Sequence, residues 1–181
     1  MWVSLLNTGV SREAMAGAMV TSSEYRRRAV SSYYSSYLGR AATSSELDTL
    51  IGVINSGWLL EWVQAAILAT PEFYSRRGLS AGGFVDGLYS LVLGVTPSAA
   101  DRGFWVNQLT ALGLDRMTVA MAFTTSTLAQ SRTVSYAYTT FLRRPADAAG
   151  LAFWASQLAA GLRQEYMFVF FVGSPEYYAR V

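Results

Sequence analysis

Residues Trp154–Tyr177 read WASQLAAGLRQEYMFVFFVGSPEY, and this pattern occurs four times along the chain. A Trp begins an apolar helical face, a Gly follows seven residues later, and a Ser-Pro-Glu-Tyr signature starts twenty residues after the Trp. Equivalent positions recur every 48 to 55 residues, which predicts tandem repeats of about 50 residues. The four copies span residues 2–25, 30–74, 84–131 and 134–178.

The copies differ from one another in three respects. The first begins at Trp2, in the middle of the pattern, and therefore holds half of a repeat. The second has Leu50 in the Trp position, so we expect a looser core there. The third, which contains Trp105, has one extra residue before its signature. The half copy favours either a fragment of a longer protein or a first unit that another molecule completes.

Each full copy predicts three helices. A long helix starts at the Ser or Thr of the signature, whose hydroxyl is suited to accept a hydrogen bond from the first turn. It ends at a Leu-Gly pair such as Leu38-Gly39. A second helix carries the Trp and ends at a Gly, and a short apolar helix leads to the next signature. The fold class is therefore all-α, with no sheet. The predicted helix caps are Ser22, Thr70, Ser98, Asp147 and Ser174.

One segment is a candidate domain boundary. Gly78, Gly82 and Gly83 lie close together with Ser80, and such a cluster is typical of a flexible break. We therefore predict one domain over residues 1–79, made of the half repeat and the degenerate second repeat. The second predicted domain covers residues 80–181 and contains two full repeats.

Composition excludes several functions. Charged residues make up 14% of the chain, all fourteen basic residues are Arg, and the net charge of +2 is too small to indicate nucleic-acid binding. The chain lacks His, Cys and Lys, so it has no ordinary pairing of nucleophile and base, and we predict that it is not an enzyme. No apolar run reaches the length of about 18 residues that a membrane span requires.

Several motifs occur together in the second half of the chain. They are Phe84-Val85-Asp86-Gly87-Leu88-Tyr89, Leu93-Gly94, Thr96-Pro97, Phe104-Trp105 and Ser174-Pro175-Glu176-Tyr177. In this combination the chain resembles the bacterial domain-of-unknown-function family numbered 4214, which is itself similar to the helical domain of phycobilisome linker polypeptides. Gly39-Arg40 keeps the Gly-Arg pair of the family, whereas Gly94-Val95 and Arg143-Arg144 each lose one member.

The resemblance implies a non-enzymatic scaffold or adhesion role in an extracellular or cell-surface assembly, such as a surface layer, because similar proteins are mostly large secreted or surface proteins of bacteria. It implies no catalytic residue and no cofactor, with calcium as the one open alternative. The loop-adjacent candidates for calcium are Asp86, Asp101, Asp115 and Asp147, although they form no D-x-D-x-D loop. The likeness to linker polypeptides also leaves open a scaffold within a pigment–protein complex.

The Trp column has two interpretations. A Trp at a fixed position of a helical repeat is typical of core packing, which we predict for Trp2, Trp105 and Trp154. The other interpretation is a stacking surface for sugars. The Glu of the signature, as in Glu72 and Glu176, lies in the first turn of a helix, where a carboxylate is stabilised by the helix dipole.

The aromatic residues exceed what one face of each helix can bury. A helix that is apolar all round must be covered on all sides, by neighbouring repeats or by another chain. We therefore predict contacts with protein subunits, most simply copies of the same chain in a homo-oligomer. The residues predicted to bind a partner are Tyr33, Tyr34, Tyr37, Tyr166, Phe168, Phe170, Phe171 and Tyr178.

Arginine runs support an alternative function. Arg26-Arg27-Arg28 and Arg76-Arg77 follow corresponding signatures, and Arg143-Arg144 follows the end of a long helix. They are interpreted either as solvated helix faces or as a patch for acidic polysaccharide. The alternative to a structural scaffold is thus a carbohydrate- or envelope-binding adhesion module.

Overall fold

The computed structural model describes residues 9–180, and every regular element within that range is helical. The all-α prediction is confirmed. Trp2 lies outside the described residues. No described helix has the length and apolar character needed to cross a bilayer. In chain order the α-helices are α1 (Arg12–Val20), α2 (Ser23–Tyr33), α3 (Ser44–Asn55), α4 (Leu60–Leu68), α5 (Pro71–Arg76), α6 (Ala81–Leu88), α7 (Ala99–Thr110), α8 (Arg116–Thr124), α9 (Thr127–Phe141), α10 (Ala148–Ala159), α11 (Gln164–Gly173) and α12 (Pro175–Tyr178).

Two of the long helices end in a wider turn. A π-helical segment, Tyr34–Leu38, follows α2, and another, Tyr89–Leu93, follows α6. Each π-helical segment ends at the Gly of the Leu-Gly pair. The helix predicted up to Leu38 is therefore continuous, but its last turn is π-helical.

The chain forms two compact units. Unit 1 consists of residues 1–26 and 130–181, and unit 2 consists of residues 27–129. This division differs from the predicted one at about residue 79, because the glycine-rich segment lies inside unit 2. The rings of Phe73 and Phe84, on either side of that segment, are 5.9 Å apart and meet edge to face. Both rings are fully buried.

Unit 2 is built around the short helices α4 and α8, which make its most extensive helix–helix contact. Helix α4 is apolar on more than one face, and Leu60, Val63 and Leu68 are fully buried. Helix α8 contributes Val119 and Phe123. Burial of a Leu or Phe side chain stabilises the folded state by about 1.5–3 kcal/mol, so this pairing supplies much of the core.

Unit 1 repeats this arrangement with α1 and α11. Its core includes Met167, Phe168 and Phe171 of α11 and Val134 of α9. Helices α1 and α11 approach closely: Ala16 of α1 is buried, and a Cβ added at Gly173 of α11 would lie 2.8 Å from Cγ of Glu13. The first copy of the pattern thus packs against the fourth.

Side chains cap the helices at the predicted positions. The Oγ or carboxylate oxygen of each cap accepts a hydrogen bond from the backbone N–H three residues later. The donor-to-acceptor distances are 3.2 Å at Ser22, 3.2 Å at Thr70, 3.1 Å at Ser98, 2.8 Å at Asp147 and 3.1 Å at Ser174. In the second copy Thr43 forms a full capping box with Glu46. These bonds place the start of each helix.

A left-handed residue ends each long helix. Gly39 and Gly94 have φ angles of 61° and 68°, and Arg143 has 51° in the corresponding position of the fourth copy. Glycine adopts this conformation without strain, whereas a side chain brings Cβ too close to the following carbonyl. The fourth copy therefore holds a strained residue where the others have glycine.

We predict that Arg143→Gly stabilises the chain by about 1 kcal/mol, because it removes the cost of a left-handed residue with a side chain. Urea unfolding followed by circular dichroism measures the change. Arg143→Ala is the control, since it removes the charge but keeps Cβ, and it should give no comparable gain. Equal stabilisation by both variants would contradict this explanation.

Candidate functional site

An arginine at the end of the second copy's long helix binds two glutamates. Arg40 Nε and Nη2 donate to Glu72 Oε1 and Oε2, at 2.8 and 2.6 Å. Its Nη2 and Nη1 also donate to Glu46 Oε1 and Oε2, at 2.7 and 2.9 Å. Arg76 Nη2 completes the group with a bond of 3.1 Å to Glu72 Oε1. The signature glutamate of α5 is thus held between two guanidinium groups.

The fourth copy contains a corresponding group. Arg144 Nε and Nη2 donate to Glu176 Oε1 and Oε2, at 2.6 and 2.9 Å, and Arg180 Nη2 donates to Glu176 Oε1 at 3.1 Å. Arg144 Nη1 also lies 3.5 Å from Asp147 Oδ2. We call these two groups the ion clusters: Arg40 with Glu46, Glu72 and Arg76, and Arg144 with Asp147, Glu176 and Arg180.

A tyrosine ring lies beneath each central arginine. The Arg40 guanidinium carbon is 5.0 Å from the centre of the Tyr34 ring, and that of Arg144 is 4.9 Å from the Tyr138 ring. A guanidinium within about 6 Å of a ring is attracted to its π face. Each arginine therefore links the end of a long helix, the start of the Trp helix and the signature glutamate.

The ion clusters shift the pKa values of their carboxylates. Hydrogen bonds from Arg40 lower the pKa of Glu46 from 4.5 to about 2, and they also lower the pKa of Glu72. Hydrogen bonds from Arg144 likewise lower the pKa of Glu176. The side chains of Arg40 and Arg144 are about one third exposed, so solvent weakens these pairs. The arrangement is suited to positioning helices.

The third copy lacks both partners of the cluster. Val95 occupies the position of Arg40 and Arg144, and Leu128 occupies the position of the signature glutamate. Both apolar side chains are 44% exposed. Both charges of the pair are absent together, so neither position holds an ion without its partner.

The role of the signature glutamate was predicted only in part. The helix-dipole interpretation accounts for its first-turn position but not for its partner 32 residues earlier. A signal was present in the sequence: the separation of 32 residues is the same for Arg40–Glu72 and for Arg144–Glu176. The joint replacement of both residues in the third copy was a second signal.

Trp105 and Trp154, the members of the Trp column within the described residues, are half-buried rather than enclosed. Trp105 lies 5.0 Å from the ring of Phe123, and Trp154 lies 5.5 Å from Phe171, which is buried. Each tryptophan thus packs against the edge of an aromatic core. The ring just before each one points outward: Phe104 is 56% exposed and Phe153 is 54% exposed.

The residues predicted to bind a partner fall into two groups. Burial within the chain's own units removes Tyr34, Tyr37, Phe168 and Phe171 from the surface, with exposures of 3% to 8%. Those predictions are corrected because the core of the chain itself covers these rings. The exposed group consists of Tyr166 at 45%, Phe170 at 57% and Tyr178 at 39%, while Tyr33 is intermediate.

Within the chain, the tyrosines of the second copy have specific contacts. The rings of Tyr33 and Tyr37 stack with centres 5.8 Å apart. The Tyr37 hydroxyl donates to Gln64 Oε1 at 2.7 Å, and Gln64 Nε2 donates to the Tyr33 hydroxyl at 3.2 Å. A single glutamine of α4 therefore forms hydrogen bonds with the hydroxyls of both tyrosines. These contacts within the chain account for part of the aromatic excess, with no need for a partner chain.

The aspartates considered for calcium have protein partners. Asp86 pairs with Arg102, Asp101 accepts from the Ser98 hydroxyl, and Asp115 and Asp147 cap helices. Within residues 9–180 no three acidic side chains come together in a way that could hold a metal ion. Calcium prefers six to eight oxygen ligands, which this arrangement does not supply.

A family model described as a domain of unknown function (DUF4214) matches residues 64–133 and 126–181. The chain belongs to this family. The matched DUF4214 segments each contain a signature, a long helix and a Trp helix, and they include the second ion cluster in full. No curated protein and no solved structure matched the chain.

We predict that the DUF4214 chain loses stability in acid. The ion-cluster carboxylates bind protons more weakly in the folded chain than in the unfolded chain, so their contribution to the free energy of unfolding is complete above about pH 4.5 and is lost as the pH falls towards about 2. Urea unfolding at several pH values measures this dependence. The slope of the free energy of unfolding against pH should become shallower in Arg40→Gln and Arg144→Gln. The slope should remain unchanged in the exposed control Arg132→Gln. An unchanged slope in the first two variants would contradict the assignment.

We predict that the missing cluster of the third copy can be restored. The double substitution Val95→Arg with Leu128→Glu should be more stable than the sum of its single variants, with a coupling of about 0.5 kcal/mol. A double-mutant cycle in urea measures the coupling, and 1 M salt should reduce it. The matched control Val95→Gln with Leu128→Gln has polar side chains without charge. Coupling of zero in the charged pair would show that the positions are not equivalent to those of the ion clusters.

Proposed function

We propose that the chain is a non-enzymatic structural or interaction protein, built as a tandem array of three-helix repeats of about 50 residues. The support is that the same local devices recur at matching positions. Capped signature helices, left-handed stops and the Phe-Trp pair each occur in more than one copy, and the ion cluster occurs in two. Devices that repeat in this way maintain the spacing and shape of a scaffold, and none of them supplies a reactive group.

The observation that carries this proposal is the pair of outward rings before the tryptophans. Phe104 and Phe153 occupy the same position in the third and fourth copies, and their exposures are nearly equal, at 56% and 54%. Each ring meets its tryptophan edge to face, at 5.2 and 5.1 Å. An exposed phenylalanine at one position is ordinary, but the same exposure at matching positions indicates a surface that is covered in the assembly.

In unit 1 this surface is extended by a further ring. Phe170 is 57% exposed and lies 5.6 Å from Trp154, which also contacts Phe153. The three adjacent rings form one apolar surface. Aromatic side chains dominate the energetics of protein interfaces because each buries a large rigid area.

We further propose that the assembly is secreted or associated with the cell surface. The support is the resemblance of the motifs to a family whose members occur mainly in large secreted or surface proteins of bacteria. The composition is consistent with an assembly, since only 14% of residues are charged. A surface so poor in charge favours contact with other protein surfaces.

The proposal is tested by self-association of the purified chain. We predict oligomers whose proportion rises with concentration in sedimentation velocity, and a shift to monomer in the variant Phe153→Ser with Phe170→Ser. Circular dichroism checks that the variant keeps its helices. The control is Leu112→Ser, since Leu112 is 62% exposed but follows the end of α7, outside the ring surface. A monomeric native chain at every concentration would contradict assembly through copies of itself, and an unchanged oligomer in the double variant would contradict the role of the rings.

A further inference from the structure

Unit 2 contains an open cleft of about 440 Å³ along one face of α6. Its polar lining comes from Arg77, Asp86, Ser90, Thr96 and Arg102, and Pro97 supplies an apolar wall. The cleft is separate from the outward rings of the Phe-Trp pairs and belongs to neither ion cluster. A cleft of this size falls in the range that holds small molecules.

The two arginines in the cleft differ in their partners. Arg102 Nε and Nη2 donate to Asp86 Oδ1 and Oδ2, at 2.8 and 3.1 Å, and the Arg102 side chain is 45% exposed. The Arg77 guanidinium lies 5.1 Å from the Phe73 ring, and its Nε is buried without a hydrogen-bond acceptor in the described part of the chain. Buried donors without an acceptor are rare in folded proteins, so Arg77 is unusual.

Both guanidinium groups lie against glycines of α6. A Cβ added at Gly82 would be 2.2 Å from Arg102 Nη2, and one added at Gly87 would be 3.0 Å from Arg77 Nε. Any side chain at Gly82 would therefore displace Arg102. The two glycines therefore make room for the present positions of the two guanidinium groups.

This arrangement is specific to the third copy. The positions that correspond to Gly82, Gly83 and Gly87 hold Arg27, Arg28 and Ser32 in the second copy and Ser131, Arg132 and Tyr136 in the fourth. The position of Arg102 is occupied by Leu47 and Leu151 in those copies. The third copy therefore lacks the ion cluster. Arg102 and the glycines of this helix face have no counterparts in the other two copies, and Val95 also lines the cleft beside them.

We propose that this cleft binds a small sugar acid through its carboxylate. Arginine suits a carboxylate because a hydrogen bond between ionised groups is stronger than one between neutral groups. Asp86 already accepts from Nε and Nη2 of Arg102, so the ligand carboxylate meets the remaining Nη1 of that guanidinium. Two arginines and one aspartate leave one excess positive charge, which matches a carboxylate monoanion better than a phosphate dianion. The Thr96 hydroxyl lines the cleft, and the Ser90 hydroxyl, which donates to Gly87 O at 3.3 Å, can still accept a hydrogen bond from a ligand hydroxyl. Pro97 provides an apolar surface for the face of a sugar ring.

The inference is independent of assembly through the aromatic rings, so the two can fail separately. The test uses the full chain labelled with ¹⁵N and titrated with sodium glucuronate, which carries the carboxylate and the hydroxyls. Glucose, which lacks the carboxylate, and inorganic phosphate are the comparison probes. We expect saturable shifts of the Arg77 Nε–H signal and of the Ser90 and Thr96 amides with glucuronate. Absence of saturation with glucuronate, or equally tight binding of glucose or phosphate, would overturn the proposal.

Matched variants locate the site. Arg102→Leu introduces the residue of the other two copies at an exposed position, and Arg77→Gln removes the second guanidinium. Each should weaken glucuronate binding by about tenfold, the effect of losing one charge-assisted contact. Arg132→Gln, an exposed arginine of unit 1, should bind as the native chain does. Unchanged affinity in Arg102→Leu, with native circular dichroism, would overturn the assignment even if Arg77→Gln does not fold.

Ligands of different chain length distinguish a free sugar acid from the end of an acidic polysaccharide. A free monosaccharide and the end of an acidic polysaccharide present the same carboxylate. Titration with an oligomer of glucuronate residues separates them: tighter binding of the oligomer per residue indicates polysaccharide, and equal binding indicates the free sugar acid. Either result is compatible with the cleft as the site, since the variants report on the carboxylate contact in both cases.

Discussion

The packing of short apolar helices in pairs is the constraint on which both compact units depend. Helix α4 is too apolar to remain at a surface, and α8 covers it in unit 2. Helix α11 carries four aromatic rings and is covered in unit 1 by α1, where Ala16 is buried and Gly173 of α11 leaves room for Glu13. A helix with apolar residues on several faces must have neighbours on several sides. The long helices and the Trp helices are arranged around these pairs.

The ion clusters act at the periphery of this arrangement. Each joins three backbone segments that belong to one copy of the pattern, and a tyrosine ring supports the central arginine. Such partly exposed groups add little net stability by themselves, but a wrong alignment of the helices would separate every one of their hydrogen bonds. The third copy has no ion cluster, and its structure shows that the helices pack without one. The same copy is the one that carries the open cleft.

Much of the local structure could be predicted from the sequence. The caps at Thr70, Asp147 and Ser174 and the helix ends follow from bonds between residues three or four apart, which a local pattern records. The pairing of α1 with α11 is different, because periodicity shows which face of a helix is apolar but not which helix covers it. For the same reason Phe168 and Phe171 were predicted to meet another chain, whereas a distant segment of their own chain covers them.

The candidate sites also combine features that the sequence shows with features that depend on long-range packing. The outward rings are visible in the sequence only as part of an aromatic excess, and their exposure emerges from the packing. The cleft depends in part on Gly82, which the sequence pattern assigns to a flexible break. Gly82 instead lies within α6, as Gly87 does, and the absence of a side chain at these two positions makes room for Arg102 and Arg77. Composition alone does not distinguish these two uses of glycine.

The pairing of the first copy with the fourth has a consequence for the order in which the protein forms. Unit 2 is one continuous segment, residues 27–129, and all of its parts are present once that segment has left the ribosome. Unit 1 joins residues 9–26 with residues 130–180, so α1 must wait for α11 to be synthesised. Closing so long a loop is entropically unfavourable and slow. Unit 1 therefore completes after unit 2, and its formation brings together two segments that are separated by the whole of unit 2.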